Sequence, residues 1–538
     1  MAPSTSRFRL IGFLSQLFHG GATYLRNRLS SLISGAAYPR NRLRSIVSNT
    51  AIYIARPVIL SHLSSTKVGT LILIDEPYRE RHVFGRPLDD VKATVSPAND
   101  HVNIDRDGNN NTNDNSNTDS KDNASVDSYG AASLTNPIVT LTVTSPLFYP
   151  RLLLLADMGF AESYLLEEVT CDDLTAFFRL FVLNRARLSN GTTRLSSLLS
   201  TVLSPIATLI TRSTATATTP NTAEAALRNA AAHYDLGNDL FAAFLSPDMT
   251  YSCPIWPTKK KGEDPLSTAQ HTKLTHLLSH LHPKPTDHIL EVGTGWGSLA
   301  IEAARQTGCR VTSVTLSRAQ KAWAEKRVRE AGLEGRVRVL LRDYRGGVGE
   351  AAGDGADDAG RYDKIVSVEM VEAVGKDFLA TYFRTVDRLL KKDGGIAVFQ
   401  CITMPEGRQA AYEGREDFIN RYIFPGGYIP SVTQLLNHIT TESKGTLVVE
   451  NVENIGGHYA KTLRLWRERF LANFEDNIRP ALMRDHPDMN EEDIEVFRRK
   501  WEYYFSYCEA GFQTKTLGDV IITVGREGAM ELMEGIPL

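Results

Sequence analysis

The sequence predicts an α/β protein: a doubly wound, mainly parallel sheet preceded by a smaller accessory domain. Three observations carry this. Strand-like and helix-like segments alternate from about residue 286 to 400, the pattern of a sheet with helices on both faces. A glycine-rich turn, Gly293-Thr-Gly295-Trp-Gly297, sits between the first of those strands and a helical run, where such sheets bind ligands. Two further strand-like runs lie far upstream, outside the alternation.

The length agrees with more than one core. A chain of 538 residues is too long for one ordinary domain. Apolar residues make up 42% and charged residues 23%, as in soluble globular proteins. The formal net charge of −3 argues against a nucleic-acid binder working through bulk positive charge. No apolar run reaches the ~18 residues of a membrane-spanning helix. The five cysteines (Cys171, Cys253, Cys309, Cys401, Cys508) are scattered without a C-x-x-C pair. That excludes a disulfide framework or a thiolate zinc site and points to a reducing compartment, and no metal is expected.

Taken in order, residues 1–67 form a basic arm. Residues 1–74 hold nine Lys/Arg and no Asp or Glu, so the rest of the chain carries a formal −12. A weak tandem repeat, Tyr24-Leu-Arg-Asn-Arg-Leu and Tyr38-Pro-Arg-Asn-Arg-Leu, places apolar and basic residues on opposite helical faces. Contact with an anionic membrane, a mitochondrial targeting segment and a plain basic tail stand as equal readings. Residues 68–185 form the accessory domain, with strands at Val68–Ile74 and Ile138–Val143. Residues 96–132, rich in Asn, Asp and Ser, form an insertion that cannot bury enough apolar surface to fold. Its Asp105-x-Asp107-Gly108 lacks the spacing of a calcium loop. Residues 146–184 read as helical, through Arg151–Ala156, Tyr164–Val169 and Leu174–Leu183. Residues 186–224 are a Ser/Thr-rich linker. From 225 to 538 runs the larger domain, with strands at Ile289–Val292, Val311–Leu316, Val337–Leu341, Lys364–Val368 and Gly395–Gln400. Gly346–Gly360 is a surface loop.

The ligand chemistry follows from strand ends. Gly293, Gly295 and Gly297 let the backbone approach a ligand with no Cβ in the way. The spacing is not Gly-x-Gly-x-x-Gly, and the preceding Glu291 suits an amino group better than a pyrophosphate. S-adenosylmethionine is therefore favoured over NAD. The second strand offers no ribose-binding acid, which leaves Gln320 for the ribose. Ser317 and Gln320 also fit a helix capping box. Asp343 is placed to accept from an adenine amino group, and Tyr344 to pack on its ring.

Four segments together resemble a known family: His233-Tyr-Asp-Leu-Gly-Asn-Asp239; Met249-Thr-Tyr251-Ser252-Cys253; the glycine turn with Thr315-Leu316-Ser317-x-x-Gln320; and Val366-Ser-Val-Glu369-Met-Val-Glu372-Ala-Val-Gly375. They resemble the cyclopropane-fatty-acyl-phospholipid and mycolic acid cyclopropane synthases, strongly over residues 225–520. Asp157-Met-Gly-Phe-Ala-Glu162-Ser-Tyr164 resembles, more weakly, the accessory domain of the phospholipid-acting members. The resemblance implies a class I S-adenosylmethionine-dependent methyltransferase fold. It also implies methyl transfer to a cis double bond of a phospholipid acyl chain, followed by ring closure with a bound bicarbonate as base. Cys253, Glu372, Ile402 and Tyr459 match the residues around that ion. Gln400 stands where bacterial members have histidine and, with Gln400-Cys-Ile-Thr-Met-Pro405, resembles the plant-type branch. Tyr251, Ser252, Thr315, Leu316, Gln320 and Val368 match cofactor contacts, with the glycines. Glu372→Gln and Cys253→Ala are expected to cut turnover while sparing cofactor binding.

The expected setting is cytoplasmic or organellar and peripheral to a membrane, with phospholipid acyl chains as partners and a second copy of the chain as a candidate one. The aromatic C-terminal third, including Phe424, Trp466, Trp501 and Tyr504, supplies candidates for an acyl tunnel, although core packing accounts better for any single one. Pro425–Pro430 reads as a turn beside the site with the character of a lid. Two other readings compete: a related enzyme that leaves a methyl or methylene branch or methylates a small amine, and a non-catalytic lipid binder. The Gln400 change motivates the first. The intact glycine turn opposes the second.

Overall fold

A computed structural model describes residues 40–86, 135–188, 237–258, 264–346 and 359–537. The expected disordered insertion and most of the arm, the linker and the 346–360 loop lie outside these residues. The chain falls into two units, Met1–Val58 and Ile59–Leu538. The described part of the first is the start of a helix, Arg40–Leu63, which contains Pro57.

The second unit holds two sheets. The smaller has the order β2-β1-β3-β4, from β1 (Thr70–Asp75), β2 (Glu80–Gly85), β3 (Ile138–Val143) and β4 (Val169–Cys171). β1 and β3 run parallel although most of the intervening chain lies outside the described residues. Alternation along both strands buries Leu71, Leu73, Val139, Leu141 and Val143 on one face. Asn184, on a helix over 174–188, pins the entry to β1: its amide oxygen accepts from the Lys67 and Val68 N–H groups at 2.8 and 3.0 Å.

One local expectation fails here. Tyr164–Val169 is not a continuous helical stripe; the helix Asp157–Leu165 stops, and Val169 opens β4. Glu167 takes φ +57°, a left-handed turn that ends a helix. Arg151 then holds Glu168 at 2.9 Å and Glu162 at 3.1 Å, fixing the turn through side chains distant in sequence.

The larger sheet has the order β10-β11-β9-β8-β5-β6-β7. β5 (His288–Val292), β6 (Arg310–Thr315), β7 (Val337–Leu341), β8 (Lys364–Val368) and β9 (Ile396–Thr403) are parallel. β11 (Gly518–Gly525) joins β9 antiparallel, and β10 (Val448–Asn454) pairs antiparallel with β11. The five parallel strands match the alternation read from the sequence to within a few residues. This is the doubly wound, mainly parallel sheet that the alternation predicts. The chain goes from β5 to β6 and β7 on one side and to β8 and β9 on the other. That places the topological switch point at the carboxyl ends of β5 and β8.

A long C-terminal helix, Glu491–Gln513, joins the small sheet's elements to this larger body. Its Arg499, only 6% exposed, donates to the carbonyls of Tyr164 at 2.6 Å and Val169 at 3.1 Å. Its guanidinium also lies 4.1 Å from the Tyr164 ring centre.

Candidate active site

β5 is buried along its whole length and delivers the chain into the glycine turn. Gly293, Gly295 and Gly297 have φ of +105°, +51° and +90°, the left-handed region that favours glycine. A Cβ on Gly297 would stand 3.1 Å from that of Ala324, and one on Gly293 3.2 Å from that of Met370. Gly295 faces open space. The turn is thus packed against its neighbours on both sides and open at the centre, where a ligand can approach the backbone.

The neighbouring strand end is pre-set by side chains. The Thr315 hydroxyl donates to the Gln320 amide oxygen at 2.8 Å and accepts from the Ser317 N–H at 3.1 Å. Ser317 caps the following helix through the Gln320 N–H. The reciprocal half of the capping box is absent, because Gln320 turns to Thr315 instead. Leu316 is half-buried beside them, as is Val368 at the end of β8.

Two expectations for the donor need correction. Glu291 does not reach a ligand amino group; it is 3% exposed and hydrogen-bonded to the Ser313 hydroxyl, which also bonds Thr294 at 2.6 Å. Burial pushes its carboxyl up to about 8. Asp343 does not present free oxygens to an adenine, since Arg345 takes both at 2.6–3.1 Å and its N–H closes a turn on the same group. Tyr344 packs edge-on against Tyr382 at 5.3 Å, with its hydroxyl buried and unpaired.

Glu291 yields a stability prediction. The group is neutral in the fold but ionises in the unfolded chain above its ordinary 4.5. Its contribution is therefore complete below pH 4.5 and is lost as pH rises through about 8. At about 1.4 kcal/mol per unit, the loss over the range from 4.5 to about 8 is on the order of 5 kcal/mol. Denaturant unfolding should show Glu291→Gln losing less stability than wild type between about pH 6 and about pH 9. Parallel pH curves would contradict this.

The second half of the site gathers around β8 and β9. Glu369 follows β8 directly and takes φ +46°, a strained conformation for a residue with a side chain. Its carboxylate receives the Cys253 N–H at 2.6 Å, the Gln400 amide at 3.0 Å and the Tyr459 hydroxyl at 2.7 Å. Gln400 also donates to the Cys253 carbonyl at 3.1 Å and to Asp519 at 3.3 Å. Asp519, on β11, is fully buried, and burial beside Glu369 pushes it well above the usual carboxylate range. Glu372 accepts from the Ile402 N–H, and its other oxygen is shut off from solvent without a partner. Burial, with Glu369 nearby, raises it to about 8. Beneath Ser252, buried Lys273 donates to that hydroxyl at 2.7 Å, and burial lowers its pKa.

The structure therefore brings Cys253, Glu372, Gln400, Ile402 and Tyr459 together. The hub, Glu369, was not among the expected site residues, nor were Asp519 and Lys273. Met370, against which Gly293 packs, is the next residue after Glu369, so the glycine turn and the acidic cluster adjoin.

Cys253 acts differently from expectation. Its thiol is fully buried, its pKa is raised by burial, and it meets the carbonyls of Pro254 and Ile455 and the buried Asp519 carboxyl. The N–H does the work toward Glu369, and alanine keeps an N–H. Cys253→Ala should therefore hold turnover within about threefold of wild type, because only a small apolar volume is lost. A drop of a hundredfold in steady-state rate would restore a role for the thiol.

Aromatic residues enclose the other wall. Tyr251 meets the Tyr504 hydroxyl at 2.9 Å and lies 5.1 Å from Trp466. Trp466, Phe470, Trp501 and Phe505 are essentially fully buried; the last three pack on one another, and all four meet Phe244. Phe424 is half-buried, edge-on to Tyr504. The Pro425–Pro430 turn lies beside the site, with the Tyr428 N–H donating to the Glu372 carbonyl at 2.8 Å.

Comparison with known proteins decides the family. Residues 221–521, more than half of the chain, match the model for mycolic acid cyclopropane synthetase. The chain belongs to this family. It is 33% identical over 394 residues to cyclopropane-fatty-acyl-phospholipid synthase of Escherichia coli strain K12, covering 73% of this chain and 90% of that protein. It is 42% identical over 311 residues to tuberculostearic acid methyltransferase UfaA1 of Mycobacterium tuberculosis, covering 57% of this chain and 66% of that protein. The crystal structure of mycolic acid cyclopropane synthase CmaA1 complexed with SAH and CTAB aligns over 56% of this chain and 98% of that chain, at 27% identity and a TM-score of 0.46. As a member of the mycolic acid cyclopropane synthetase family, the chain is an S-adenosylmethionine-dependent methyltransferase. The open glycine turn and the Thr315–Gln320 strand end fit that donor, with Tyr251 and Leu316 as further candidate contacts.

Proposed function

We propose that the protein transfers the methyl of S-adenosylmethionine to a cis double bond of a phospholipid acyl chain and closes a cyclopropane ring. The observation that carries this is the carboxylate cluster adjoining the cofactor turn. An alkene is a weak nucleophile and needs no base to attack. A base is needed only afterwards, to take a proton from the new methyl. Aromatic walls exclude water that would quench the intermediate cation.

The phospholipid substrate is supported by the Escherichia coli relative. Its 394-residue alignment is longer than residues 221–521 and the few that follow, so it includes chain N-terminal to the matched family region. The substrate would be met at a bilayer surface by a peripheral protein; among the described residues no helix is long and apolar enough to cross a membrane. Expression in a host rich in oleate should yield an acyl chain heavier by one CH₂ on gas chromatography. No such product would contradict the proposal. A second reading, a methyl- or methylene-branched product, is favoured by the likeness to the protein named tuberculostearic acid methyltransferase.

A further inference from the structure

The cyclopropane reading implies a bicarbonate as base, and the residues present do not fit one. The donors expected to hold it are the N–H groups of Cys253 and Ile402, the Gln400 amide and the Tyr459 hydroxyl. Each already serves a protein carboxylate: Ile402 serves Glu372, and the other three converge on Glu369. A further anion would lie against Glu369, and none of these four donors is free to offset the repulsion.

We infer that the Glu369 carboxylate is itself the base of the reaction, built into the site in place of a bound anion. This rests on the alkene reading above. Three features support it. The carboxylate is positioned by three donors from three different parts of the chain. The backbone holds a strained φ of +46° to deliver it, and such strain persists where the surroundings impose it. Met370, the next residue, packs on the glycine turn, so the carboxylate lies at the donor end of the site.

The step balances. The alkene π pair bonds to the sulfonium methyl carbon, and the carbon–sulfur bond breaks with its pair left on sulfur. A C–H bond of the new methyl then breaks. Its electron pair closes the ring onto the cationic carbon, and its proton goes to Glu369. No outside reactant is required.

The test uses the purified full chain in buffer freed of carbon dioxide, with isotope-labelled bicarbonate followed by NMR. Wild type should show no saturable bicarbonate binding, and added bicarbonate should leave its turnover unchanged. Glu369→Gly frees the three donors at a position whose positive φ suits glycine. It should bind bicarbonate, lose about a hundredfold or more in turnover without it, and regain about tenfold when bicarbonate or formate is supplied. Bicarbonate binding or stimulation in wild type would overturn the inference. So would a Glu369→Gly protein that binds S-adenosylmethionine but not bicarbonate. If that variant fails to bind S-adenosylmethionine at all, the wild-type arm decides. If no protein yields lipid product, the alkene reading has failed, and the binding arm still reads occupancy of the anion site.

Discussion

Glu369→Gln should lower turnover by about a hundredfold or more while leaving affinity for S-adenosylmethionine within about threefold, the ordinary cost of losing a positioned base. The variant separates shape from basicity. Glutamine has the same length, and its amide oxygen can accept from Cys253 and Gln400 as Glu369 does. Its NH₂ would then face Tyr459, whose hydroxyl can turn to accept instead of donate. The cluster stays paired, so loss of fold is not expected. What disappears is an oxygen able to take a proton. Steady-state kinetics on lipid, with calorimetry for the cofactor, would check this. Near wild-type turnover would remove Glu369 from the chemistry. A matched loss of cofactor affinity would make it a structural residue.

Arg499→Ala should destabilise the protein by about 3–5 kcal/mol, the cost of leaving buried polar groups unpaired. The guanidinium is the donor to two carbonyls that end the Asp157–Leu165 helix turn and open β4. It also has Glu167 and Glu495 within 3.7 and 3.8 Å. Alanine would remove these partners together and leave a gap against Tyr164. The loss should appear first as faster amide exchange in β3 and β4, because Arg499 links that edge to the C-terminal helix. Uniform exchange across both sheets would show that the two parts unfold as one and that Arg499 is not a local tie.

How much could be read beforehand depended on whether the information was local. Gly293, Gly295 and Gly297 announce a turn by themselves, and the five parallel strands announce themselves as apolar runs between helices. The antiparallel pair β10–β11 was not read, because it breaks the alternation that flagged the others. Tyr164–Val169 reads as one helical stripe from sequence because the helix is ended by Glu167's backbone and by Arg151, neither visible in apolar spacing. Of the site, Glu372, Gln400, Ile402, Tyr459 and Cys253 were named through resemblance, yet the centre of the cluster was not. Glu369 lay within a quoted motif, but its role depends on a left-handed backbone that sequence does not display. Two acids three apart at the end of an otherwise apolar strand were the available signal. Asp519 comes from β11, whose place beside β9 is a fact of topology. Glu291 and Asp343 read as available from sequence because nothing in it marks Ser313 and Arg345 as their partners.

Ring closure requires that the transferred carbon lose a proton after it reaches the alkene. Supplying trideuteromethyl S-adenosylmethionine with an unsaturated phospholipid, and counting deuterium in the product by mass spectrometry, tests it most directly. Two of the three deuteriums should remain, in a product that mild hydrogenation leaves unchanged because it is a ring and not a methylene branch. Retention of all three would contradict it.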